Sequence, residues 1–75
     1  MREDFDQMIE TAIHRVNNDP SRENLESLTS LLKEFSDEYK KEYGYVPKIH
    51  LDYYLVGLSK EVIDLYRDEL PFSGW

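Results

Sequence analysis

At 75 residues, 40% of them apolar and none of them cysteine, the chain has material for one modest core. It has none for a disulfide framework, a thiolate zinc site or cysteine catalysis. Nine Lys and Arg stand against sixteen Asp and Glu, a formal charge of −7, which speaks against gripping nucleic acid through its phosphates or docking on anionic lipid. No apolar run approaches the roughly 20 residues of a membrane span, and residues 1–18 lack the basic-then-apolar layout of a secretory signal. A small soluble protein of a reducing, cytoplasmic compartment is expected, folded as one domain over residues 1–75.

The first predicted element is a helix over about residues 4–17. Phe5, Met8, Ile9, Ala12, Ile13 and Val16 share one helical face, and Asp4 and Asp6 lie where the helix dipole favours negative charge. Asn17-Asn18-Asp19-Pro20 ends it. Asp19-Pro20 also reads as a start signal, an N-cap acceptor followed by proline at the first helical position. A second helix is expected over about 20–43, with Leu25, Leu28, Leu32, Phe35 and Tyr39 as its stripe and Gly44 as its terminator. At 1.5 Å per residue it is roughly 36 Å long against roughly 21 Å for the first. That difference leaves apolar surface uncovered and predicts self-association as a homodimer.

After Tyr45-Val46-Pro47 the pattern is mixed. Ile49, Leu51, Tyr53 and Leu55 alternate as in a strand, but Leu51, Tyr54, Leu55, Leu58, Val62, Leu65, Tyr66 and Leu70 fit a helix for longer. The reading adopted is a third helix over about 48–69, ended by Pro71, with a possible break near Gly57 where Ser59 would cap a fourth helix. The fold class is therefore all-α, a small three-helix bundle.

Catalytic constellations are absent. The two histidines, His14 and His50, fall on different elements, and His14 with Glu10 makes an i, i+4 pair better suited to a charge contact than to a metal, because no third and fourth ligand are in view. No serine stands in a nucleophile elbow, and three isolated glycines make no phosphate loop. A protein that is not an enzyme and carries no cofactor or metal is expected. A helix-turn-helix reading fails on charge: Asp52, Glu61, Asp64, Asp68 and Glu69 outnumber Lys48, Lys60 and Arg67 on the would-be recognition helix.

The acids are arranged in rows. Glu34, Glu38 and Glu42 fall at i, i+4, i+8; Glu61, Asp64 and Asp68 at i, i+3, i+7; Glu3, Asp6 and Glu10 likewise, with Asp19, Glu23 and Glu26 as a fourth set. Like charges at these spacings lie about 5–6 Å apart at Cβ and cost a few tenths of a kcal/mol each. The spacing is within reach of the phosphate repeat of a nucleic-acid strand, so such rows offer a basic groove a negative lattice and speed encounter by steering. The plain alternative is a solvated face, since Lys33–Asp37–Lys41, Arg22–Glu26 and Lys60–Asp64 are i, i+4 pairs of opposite charge.

Six tyrosines and one tryptophan add weight to an interface, where such rings are enriched. Tyr39, Tyr54 and Tyr66 lie on apolar stripes and suit the core. Tyr45, Tyr53, Phe72 and Trp75 do not, and are the candidate aromatic contacts beside the acidic candidates Glu34, Glu38, Glu42, Glu61, Asp64 and Asp68.

In size, lack of cysteine, acidic rows and the stretch Tyr53-Tyr54-Leu55-Val56-Gly57-Leu58, the chain resembles the small acidic host-takeover proteins of bacteriophages that mimic DNA. That resemblance implies a non-enzymatic inhibitor that occupies the DNA channel of a basic replication protein such as the bacterial sliding clamp, in the cytoplasm of an infected bacterium. Two other readings stand beside it: a structural oligomerisation module working through Leu25, Leu28, Leu32 and Phe35, and an antitoxin or immunity protein that neutralises a basic nuclease.

Overall fold

The computed structural model describes residues 4–66, which form four α-helices and no strand: α1 (Phe5–Asn18), α2 (Arg22–Tyr43), α3 (Lys48–Val56) and α4 (Lys60–Tyr66). The bundle is all-helical as expected, with four helices among the described residues in place of three. The expected ends at 69 and Pro71 lie outside the described residues.

The apolar spacing of α1 buries Phe5, Ile9, Ala12, Ile13 and Val16. Along α2 it buries Leu25, Leu28, Leu32 and Phe35. These two stripes face each other, and α3 and α4 both pack back onto α1, adding Leu51, Tyr54, Leu55, Leu58 and Val62 to a single core. The leucine stripe of the long helix is thus consumed inside the chain. Its C-terminal reach is covered by rings: Phe35 meets Phe5 and Tyr54 edge-to-face, each at 5.7 Å between centroids, and Tyr39 stands edge-on to His50 at 5.7 Å.

Helix α2 starts two residues later than the Asp19-Pro20 signal implies. Its N-cap is Ser21, whose hydroxyl oxygen accepts from the Asn24 backbone N–H at 3.2 Å. Asp19 stays outside the helix, where its backbone carbonyl accepts from the Asn24 side-chain amide at 2.9 Å. Proline thus lies ahead of the cap, in the turn, where its fixed φ and missing N–H are equally harmless. Gly44 ends the helix in the left-handed conformation, φ 86°, as the sequence predicts.

The third helix expected over 48–69 is two helices among the described residues, separated at Gly57-Leu58-Ser59, where the sequence offers a break with Ser59 as the cap of a fourth helix. Two interactions explain the break. Ser59 Oγ accepts from the Val62 backbone N–H at 3.3 Å, capping α4. The Asn17 side chain, from the end of α1, donates to the Gly57 carbonyl at 3.0 Å and accepts from the Ser59 N–H at 2.8 Å. One amide therefore satisfies a donor and an acceptor that the interrupted ladder releases. At Gly57 a Cβ would sit 3.3 Å from the Tyr54 carbonyl oxygen and 3.4 Å from Ile13 Cγ2, a tight fit against its own helix backbone and α1.

Candidate protein-binding surface

Helix α3 carries apolar side chains on two opposite faces. Leu51, Tyr54 and Leu55 point into the core. Ile49, Tyr53 and Val56, at i, i+4, i+7, form a second row that is 84%, 69% and 81% exposed. Lys48, His50 and Asp52 are the exposed polar residues of the helix, so the outer row puts three large apolar side chains side by side in solvent. Tyr43 and Tyr45 are exposed near the start of the same helix. Tyr45 packs edge-to-face on Tyr39 at 5.4 Å, and the two hydroxyls are 3.1 Å apart. The Tyr39 hydroxyl proton is held above its ordinary range, first by that hydrogen bond and then by burial.

The row is anchored from beneath. Tyr53 leans edge-on against Tyr54 at 6.0 Å, and the Tyr54 hydroxyl donates to Asp6 Oδ1 at 2.6 Å. Burial, then the Asp6 hydrogen bond and charge, then the Glu10 charge, push the Tyr54 proton far above the usual tyrosine range. This couples α3 to α1 across 48 positions of sequence. It also engages one acid of the Glu3–Asp6–Glu10 row inside the protein.

The remaining expected acids are distributed unevenly. Glu34 and Glu42 are exposed, whereas Glu38 between them is half-buried, with Oε2 covered and without a hydrogen-bond partner. An i, i+4, i+8 row turns by about 40° per step on a helix of 3.6 residues per turn, so the three carboxylates stay on one side of α2, but only its two ends, Glu34 and Glu42, are solvent-exposed. Glu61 and Asp64 are exposed on α4; Asp68, Phe72 and Trp75 lie outside the described residues. Arg22 and Glu26 form an exposed ion pair at 4.0 Å. Of the expected aromatic contacts, Tyr45 and Tyr53 are 59% and 69% exposed. Ile49 is masked in the sequence by the strand-like alternation it belongs to, and Val56 falls on neither the strand-like nor the helix-like stripe. The signal that finds them is their i, i+7 spacing on the face opposite Leu51 and Leu55.

Among the described residues there is no group of three or more metal-ligating side chains, and no helix is long and apolar enough to cross a membrane. Comparison with protein-family models, with curated proteins and with solved structures finds no match. The functional reading accordingly rests on this chain's own surface chemistry.

Proposed function

We propose that the chain is a non-enzymatic, acidic protein-binding inhibitor that docks through the outer face of α3 onto a basic protein. The observation that carries this reading is the exposed row Ile49–Tyr53–Val56 on a helix whose opposite face is already packed. Full burial of an aliphatic or aromatic side chain yields about 1.5–3 kcal/mol, so three such residues with a neighbouring tyrosine pair make an adequate hot spot. The charge of −7 supplies the second half: it steers the molecule toward cationic surfaces and repels anionic ones.

In its finer form the partner is a protein that normally binds DNA, such as a sliding clamp, with exposed carboxylates including Glu34, Glu42, Glu61 and Asp64 lying in its phosphate-binding groove. What supports this form is the sign and density of charge. The half-burial of Glu38 in the Glu34–Glu38–Glu42 row makes the apolar face the anchor and the exposed acids the guide. Replacing Ile49 and Val56 together by Gln should abolish capture of a bacterial DNA-handling protein while circular dichroism stays unchanged. Undiminished capture would contradict the reading.

A homodimer through the same face is the second reading. The apolar row favours it, since a two-fold axis matches such a row with itself; the like charge on each copy opposes it. Salt separates the two. Screening strengthens an acidic homodimer and weakens attachment to a basic partner, so sedimentation and partner capture across a salt series should move in opposite directions.

A further inference from the structure

We propose that the groove between α1 and α3 receives an arginine side chain of the partner. The inference rests on the α3 face being the docking surface and adds the residue chemistry that the face selects. The groove has a volume of about 310 Å³ and is lined by Glu10, Ile13, His14, Tyr53, Tyr54, Val56 and Gly57. That size is at the bottom of the roughly 300–1,000 Å³ range of ligand sites, suited to one long side chain rather than to a cofactor. It is continuous with the exposed row, which shares Tyr53 and Val56 with it.

Charge complementarity selects the occupant. Among the described residues no lysine or arginine lines the groove and Glu10 is its one carboxylate, exposed and close enough for its charge to act on the Tyr54 hydroxyl. Asp6, immediately behind, is bonded to Tyr54. The aliphatic surfaces of Ile13 and Val56 match the methylene stem of a long cationic side chain. The exposed Tyr53 ring offers a face for a planar cation, and a carboxylate accepts a guanidinium through two parallel N–H bonds. Arginine meets both demands, whereas lysine carries a compact charge with no plane to stack. A second copy of this chain is a poorer occupant, because its charge of −7 adds to that of the groove.

The test uses the full chain, isotopically labelled, titrated at low salt with two leucine–glutamine helical peptides that differ only in one central residue, arginine or its neutral isostere citrulline. The arginine peptide should bind about tenfold more tightly and shift the amides of Glu10, His14, Tyr53 and Gly57. Glu10→Gln, a surface change, should remove that preference without altering helicity. Equal affinity for the two peptides, or an unchanged preference in Glu10→Gln, overturns the arginine inference. If both peptides then still shift Ile49, Tyr53 and Val56, the docking face stands without it. Absence of any α3 shift from either peptide overturns both.

Discussion

Tyr54 joins the two helices that matter most. Its ring packs on Phe35 at 5.7 Å while its hydroxyl reaches Asp6 at 2.6 Å. Tyr54→Phe keeps the ring and removes the bond, leaving Asp6 exposed enough to rehydrate, so a loss of about 1 kcal/mol is expected in urea unfolding. The pH dependence has a definite sign. Because the folded-state proton of Tyr54 is held above the ordinary value of about 10, its contribution is fully present below that pH. It is lost as pH rises beyond it, when the unfolded chain ionises first. Denaturation monitored from pH 8 to 12 should therefore show an alkaline decline that Tyr54→Phe reduces; an identical decline in both proteins would contradict the assignment. Phe35 lies where four rings meet, and Phe35→Ala, at about 3–5 kcal/mol, should remove most of the stability expected of so short a chain. The thermal transition measured by circular dichroism should collapse or fall by tens of degrees.

At the scale of elements, the α3–α4 break depends on Asn17. Asn17→Asp retains the acceptor for the Ser59 N–H but loses the donor to the Gly57 carbonyl, whereas Asn17→Ala loses both. Hydrogen exchange at the Ser59 amide should accelerate strongly in Asn17→Ala and less in Asn17→Asp. Equal protection in all three proteins would show that the clamp does not hold the break. The sequence exposes much of this architecture and hides this part of it. The stripes of α1 and α2 are readable because each helix has one covered face and a period near 3.6. Gly44 is readable because a left-handed cap excludes most side chains. The start of α2 is ambiguous because Asp19 and Ser21 are both competent caps, and only the position of the Asn24 N–H decides between them. Helix α3 is the hardest: with apolar residues on opposite faces its period is blurred, and that blurring is itself the mark of the exposed row Ile49–Tyr53–Val56. Asn17 reads locally as a turn former, and its two bonds span 40 and 42 positions, beyond any local pattern.

For the molecule as a whole, packing and charge divide the work. The core unites all four helices, while Ile49 and Val56 contribute little to it, at 84% and 81% exposure. Exchanging both for Gln should change folding stability by no more than about 0.5 kcal/mol, which distinguishes a surface kept for a partner from one kept for folding. The measurement that tests this account most directly is capture from bacterial lysate by the unaltered chain and by Ile49→Gln/Val56→Gln, side by side at low and at high salt. The account predicts a basic protein retained by the unaltered chain alone, and released as salt rises. The same protein held equally by both chains at both salt concentrations would contradict it.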